Sequence, residues 1–306
     1  MTNITGEALR KFLATQKLKP TLVEKLTALL RPQIKLIPTG PFEEDETPPW
    51  ASKLGGFPDL PVGAAWPLHG SLEPGGPTNF ERNTNWEVGP LEFLAQINLA
   101  DVARVGSGLP LPEEGLLLFF YDAREQAMGF EQTDALGRRV IYVPAGAETT
   151  RQLNATPEDV YTRPLEFLAS EVMPDWFSIR DHLGEALAIV WAELDGVDEL
   201  FDEFSADNDG EEHVFGGWPR VIQNPMELEC EMVTQGLKEG RSDPYNDPRM
   251  ATVQEDARQW RLLLQLDSDE SLDWMWGDMG MVYFWCREED IAARRFDRVW
   301  TILQCG

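Results

Sequence analysis

Apolar residues at helical spacing open the chain. Leu9, Phe12 and Leu13 share one face of a short helix, and Leu22, Leu26, Leu29 and Leu30 resume the pattern after Pro20. Thr21 can cap the second helix and Pro32 ends it. Two short helices are therefore expected within residues 5–31. Residues 38–49 (PTGPFEEDETPP) read as a Pro-rich acidic connector. Beyond it the apolar positions come in short, mainly apolar runs: residues 93–98, 115–120, 262–267 and 280–285, with a closing run at 299–303. Runs of this length, rich in aromatic and branched residues, predict buried strands.

The runs repeat. Gly55-Gly56-Phe57-Pro58 matches Gly216-Gly217-Trp218-Pro219, FLAQIN at 93–98 matches LLLQLD at 262–267, GLLLFF at 115–120 matches GMVYFW at 280–285, and RVIYV at 139–143 more loosely matches RVWTI at 298–302. Four matches in one order imply an internal repeat. A Gly-Gly-aromatic-Pro block combines two residues free to take positive φ with one whose φ is fixed, which suits a tight turn that pins a large ring. Between the copies the pattern turns helical. Thr156, Pro157, Glu158 and Asp159 form a helix start, residues 185–204 are helical in pattern, and residues 287–296 place acids early and Arg294 and Arg295 late. The expected fold is α+β: mainly antiparallel β-sheets from two pseudo-symmetric repeats (about 50–143 and 211–303), with peripheral helices. Residues 1–37 form an N-terminal helical segment and residues 38–306 the domain that carries the repeat.

The blocks also carry a family resemblance. Residues 53–61 (KLGGFPDLP) with Trp66-Pro67, residues 93–99, residues 111–115, residues 213–223 and above all residues 276–285 (WGDMGMVYFW) resemble the YwqG-like family. That family is a bacterial domain of unknown function. The resemblance covers roughly residues 50–305 and implies the fold and a cytoplasmic setting; it implies no reaction and no catalytic residue.

Composition narrows the function classes. A chain of 306 residues with 42% hydrophobic residues supports a substantial core. The 11 Trp fill that core or line an aromatic binding surface. A net charge of −27 argues against nucleic acid and against an anionic membrane as partners, and suits a basic protein partner. Residues 1–37 stand apart, with seven basic residues against Glu7 and Glu24. Cys230, Cys286 and Cys305 have no metal-type spacing and read as reduced thiols of a cytoplasmic protein. No apolar leader opens the chain, and runs such as Leu116–Tyr121 are too short to cross a bilayer.

Few residues suggest chemistry. On a strand, residues two apart share a face, so Gln96 with Asn98 and Gln265 with Asp267 present one polar pair per copy. They either converge on a polar ligand or satisfy backbone groups of nearby turns. Asp267, Asp269, Glu270, Asp273 and Asp278 crowd one loop, and Asp267, Asp269 and Asp278 are the candidate metal ligands. The stretch 205–210 (SADNDG) starts like a calcium loop, but its closing Glu falls on Gly216. His213 precedes the second glycine turn and either binds a ligand or stabilises that turn, and Trp218 offers a ring for stacking. No nucleophile elbow or phosphate loop is present, since Gly75-Gly76-Pro77 lacks the following Lys and Ser/Thr. No catalytic residue and no cofactor are implied. The leading expectation is a non-enzymatic binding protein, of adaptor or immunity-like type, for a basic protein. The rivals are a metal-dependent enzyme using Asp267, Asp269, Asp278 and His213, and a small-ligand binder that stacks its ligand on Trp.

Overall fold

The computed structural model describes residues 6–15, 18–40, 47–70, 88–153, 161–175, 178–179, 212–237 and 244–306. The expected helices at 156–159 and 185–204, the 205–210 stretch and Gly75-Gly76-Pro77 lie outside them. Twelve strands and six α-helices are described: α1 (Gly6–Thr15), α2 (Pro20–Thr27), β1 (Arg31–Pro38), β2 (Lys53–Gly55), β3 (Asp59–Pro61), β4 (Glu92–Asn98), α3 (Leu99–Val105), β5 (Leu116–Tyr121), β6 (Arg138–Val143), β7 (Thr149–Arg151), β8 (Thr162–Val172), β9 (His213–Gly216), α4 (Glu227–Thr234), α5 (Met250–Asp256), β10 (Trp260–Asp267), β11 (Met281–Arg287), α6 (Glu288–Ala292) and β12 (Trp300–Gln304).

Ten strands make one sheet in the order β12-β11-β10-β9-β1-β8-β2-β4-β5-β6, and β3 with β7 makes a two-stranded ribbon. Every neighbouring pair is antiparallel. The fold is α+β, as the alternation of strand runs and helices predicts. β1 and β8 lie at the centre, paired from Arg31 opposite Val172 to Pro38 opposite Leu165.

The outer strands bend toward each other. Phe119 on β5 meets Phe284 on β11 edge-on at 5.1 Å, and Tyr121 meets Trp276 at 5.9 Å. One interior cluster therefore draws on both ends of the sheet, joining Leu94, Ile97, Leu117, Phe119 and Val140 with Leu264, Leu266, Val282, Phe284 and Leu303. Each such side chain taken from water contributes about 1.5–3 kcal/mol. Residues 128–130, in the connection between β5 and β6, meet the end strand β12. Leu303 N donates to Met128 O at 3.2 Å, and Trp300 Nε1 donates to Gly129 O at 3.0 Å. On the opposite face of β10–β12, Trp260, Tyr283, Trp285 and Trp300 pack with Cys230 of α4.

The N-terminal helices form as expected. Leu9, Leu13, Leu22 and Leu26 are buried together with Met173 and Ile179. Residues 31–38, which the expected boundary at residue 37 divides, are a strand with partners on both sides. Among the described residues no helix is long and apolar enough to cross a membrane.

Candidate functional site

The two Gly-Gly-aromatic-Pro blocks adopt one backbone conformation. Gly55 and Gly56 have φ of 64° and 74°, and Gly216 and Gly217 have 72° and 75°. Side chains other than glycine rarely take this left-handed region, so the blocks turn where they do because glycine stands there.

Each turn is braced by a glutamine. β4 shifts register between Phe93 and Ala95, and β10 shifts between Leu262 and Leu264, just before Gln96 and Gln265. A bulge re-aims the side chains beside it. Gln96 Oε1 accepts from Asp59 N at 2.9 Å, while its Nε2 donates to Ala51 O and to Asp59 Oδ2, both at 2.9 Å. Gln265 Oε1 accepts from Arg220 N at 2.9 Å, and its Nε2 donates to Glu212 O at 3.2 Å. In both turns the carbonyl lies four residues before the first glycine and the amide four residues after it. Both amide groups are fully buried and bonded to their own turn.

The second pair behaves alike. Asn98 N donates to Ser52 Oγ at 3.0 Å, and Asp267 N donates to His213 Nδ1 at 3.2 Å. Ser52 and His213 both lie three residues before the first glycine of their turn. Asn98 also caps α3, accepting from Ala100 N at 3.0 Å. Because His213 Nδ1 accepts from an amide, its proton sits on Nε2, which donates to Asp269 Oδ2 at 3.1 Å. Burial raises the Asp269 carboxyl, but hydrogen bonds from His213 and Ser271 outweigh it and hold the pKa at about 2. Asp267 goes the other way. Burial pushes its pKa up, against the Glu212 amide at 3.0 Å and Arg220 at 3.7 Å. Trp218 is enclosed, with Nε1 donating to Leu29 O at 2.7 Å and its ring covered by the Arg31 guanidinium.

The expected metal trio is not assembled. Asp278 is exposed while Asp267 and Asp269 are buried, and among the described residues no three His, Cys, Asp or Glu are placed to hold a metal ion. The thiols are quiet as well. Burial pushes Cys286 up to about 12 and Cys230 well above its ordinary value.

The loop from residue 268 to 280 is the other locked feature. Ser268 Oγ accepts from Trp276 N at 3.0 Å and donates to Gly280 O at 2.9 Å, and Asp269 and Trp274 exchange two backbone hydrogen bonds at 3.0 Å. Asp273, Gly277 and Met279 have φ of 57°, 57° and 51°. Gln126 clamps the loop from outside, donating to Met275 O at 2.9 Å and accepting from Gly277 N at 2.8 Å. Trp276 and Leu272 point inward, whereas Met275 and Met279 are 47% and 64% exposed beside exposed Glu270, Asp273 and Asp278.

Sequence reasoning missed Asp59 and Arg151. Asp59 Oδ2 accepts from Trp50 N at 2.7 Å, and Asp59 Oδ1 accepts from Arg151 Nε at 3.2 Å. Burial raises the Asp59 carboxyl, and the bonds from Gln96, Trp50 and Arg151 bring it below its ordinary value. The aspartate directly after the Gly-Gly-Phe-Pro block was the one visible signal; nothing local marks Arg151. The methionines of the loop gave no signal, since Met in an aromatic run reads as core.

A comparison with curated proteins finds no match. Residues 52–305, from β2 to the end of the sheet, match the model of the family described as Domain of unknown function (DUF1963), and the chain belongs to that family.

Proposed function

We propose that this chain is an interaction protein that docks a basic partner on the loop from 268 to 280. The observation that carries the proposal is the exposure of Met275 and Met279 on a backbone that is locked from both sides. Exposed apolar side chains on a rigid support favour association, because little conformational entropy is lost on binding. Methionine suits a docking surface through its adaptable, polarisable side chain. Glu270, Asp273 and Asp278 around it, and the chain's net charge of −27, favour a basic segment. Work in the cytoplasm without nucleic acid belongs to the same proposal, in keeping with the free Cys230, Cys286 and Cys305.

The scaffold behind the loop is proposed to be two copies of one unit, within a YwqG-like branch of the family. Three observations support it. The sheet order runs outward from β1 and β8 through corresponding blocks on each side. The register shifts and glutamine braces occur at corresponding positions. The contacts at the glycine turns are reciprocal: a side chain at Gly55 would meet Leu272 at 3.2 Å, and one at Gly216 would meet Leu109 at 3.6 Å.

The test is capture of proteins by the full chain at low and at high salt, beside a variant carrying Met275→Ser, Met279→Ser and Asp278→Asn. A basic protein held at low salt, released at high salt and lost by the variant is expected. Capture that is indifferent to salt, or kept in full by the variant, overturns the proposal.

A further inference from the structure

Methionine is distributed unevenly over this fold. Met173, Met226, Met232, Met250 and Met281 are buried, and Met128 packs partly buried against the interior cluster. Among the described residues only Met275 and Met279 are exposed, by 47% and 64%, and both stand in the loop from 268 to 280.

The backbone does not ask for methionine there. Met279 has φ of 51°, in the left-handed region that glycine, asparagine and aspartate enter most readily. A long thioether side chain gains nothing from that conformation and, at this exposure, little from packing. What it does bring to the surface is its sulfur.

The loop does not depend on those side chains for its shape. Ser268 Oγ holds Trp276 N and Gly280 O, Gln126 holds Met275 O and Gly277 N, and Gly306 N donates to Asp278 O at 3.0 Å. None of these bonds uses a methionine side chain. The thioethers can therefore change chemically while the fold stays as it is.

A thioether open to solvent is oxidised by hydrogen peroxide. The sulfur attacks one peroxide oxygen, an S–O bond forms as the O–O bond breaks, and the other oxygen leaves as water. The sulfur gives up two electrons and the peroxide takes them. Peroxide is uncharged, so exposed Glu270, Asp273 and Asp278 do not repel it as they would an anionic oxidant. The product is a polar sulfoxide where an apolar side chain stood, and a thiol-dependent reductase can reverse it.

We propose that Met275 and Met279 are a reversible oxidation site, and that peroxide turns the docking loop off by converting them to sulfoxides. The second half rests on the reading of this loop as a docking surface; the first does not. In the test, the full chain is exposed to hydrogen peroxide and its methionines are followed by peptide mass mapping. Met275 and Met279 should oxidise at least about tenfold faster than Met173, Met226, Met232, Met250 and Met281, whose sulfurs are reached only when the fold opens. The chain oxidised at these two residues should keep its melting temperature, lose the basic proteins that the untreated chain holds at low salt, and regain them after a methionine sulfoxide reductase and a dithiol. Cys305→Ser should respond to peroxide as the native chain does. Oxidation of Met275 and Met279 no faster than that of the buried methionines overturns the site. Full capture by the oxidised chain, a fall in its melting temperature, or capture by Cys305→Ser that survives peroxide overturns the switch. An untreated chain that captures nothing is the failure of the docking reading, seen before any oxidant is added, and it takes the switch with it while the mapping still decides the site.

Discussion

Leu272, from the loop after β10, lies over Gly55, at the end of β2. A Cβ built on Gly55 would come 3.2 Å from Leu272 Cδ2 and only 2.2 Å from the backbone oxygen of Tyr161. The glycine is thus needed twice, for its φ of 64° and for the close approach. Gly216 has φ of 72°, but the nearest atom to its Cβ would be Ser107 O at 3.3 Å, and Gly63, with φ of 82°, has nothing within 4 Å. Alanine at the three positions separates the two demands. Gly63→Ala should cost about 1 kcal/mol, the backbone strain alone. Gly216→Ala should cost somewhat more, and Gly55→Ala about 3 kcal/mol or more, because a backbone atom cannot swing aside. Urea unfolding of the three variants ranks them, and equal losses would contradict the close packing at Gly55.

The glutamine braces predict an asymmetry. Gln96→Leu removes three hydrogen bonds, one of them to the Asp59 carboxylate, and leaves Asp59 N buried and Ala51 O half-buried without their partner. Gln265→Leu removes two. Each buried group left unsatisfied costs about 1–3 kcal/mol. Both variants should be destabilised, Gln96→Leu more so. Gln96→Glu should also be damaging at neutral pH, since it sets a second carboxylate against Asp59. Denaturation midpoints measure all three, and a neutral Gln265→Leu would show that its turn does not need the brace.

Much of this architecture was legible from residue order alone. The strands at 92–98, 116–121, 260–267 and 281–287 are mainly apolar because most of their residues are buried on both faces. β8 is the counterexample. Thr162–Val172 is half exposed along its length, with Glu166 and Glu171 among its residues and Pro164 where it leaves β1 for β2, so neither alternation nor an apolar run marks it. β1 was hidden for a related reason, since Pro32 reads as the end of the preceding helix rather than as the start of a strand. At the glycine turns, the spacing of Gln96 and Gln265 exposed the polar pair on each strand. What each pair bonds is the backbone of a distant turn, and backbone groups leave no mark in a sequence.

Asp269 gives the fold an acid-sensitive point. An aspartate in an unfolded chain titrates near about 4. In the fold Asp269 is held at about 2 by its bonds to His213 and Ser271. A lowered carboxyl contributes stability that is complete above the unfolded pKa and is lost as the pH falls through the folded one. The loss should therefore fall between about pH 4 and pH 2. Asp267, raised by burial, works in the opposite sense: it takes up its proton sooner in the fold than in the unfolded chain. Asp269→Asn should lower stability at neutral pH and flatten the acid limb of the curve, whereas Asp267→Asn should leave that limb in place. Melting temperatures from pH 7 down to pH 2 distinguish these, and an acid limb unchanged in Asp269→Asn would rule out the assignment.

The three cysteines should separate by reactivity. A thiol attacks as its thiolate, so the rate at a given pH follows the thiolate fraction and access to the sulfur. Cys230 and Cys286 are fully buried, and burial pushes Cys286 up to about 12 and Cys230 well above its ordinary value. Cys305, at the end of the chain, is half-buried. With an aromatic disulfide reagent at pH 8, one thiol of the native protein should react quickly and the other two at least about a hundredfold more slowly. All three should react together once the chain is unfolded in guanidinium. Cys305→Ser should abolish the fast phase and leave the slow one. A fast phase that survives in Cys305→Ser would mean that the sheet opens at β11 or α4 far more often than the packing of Trp285 and Cys230 allows.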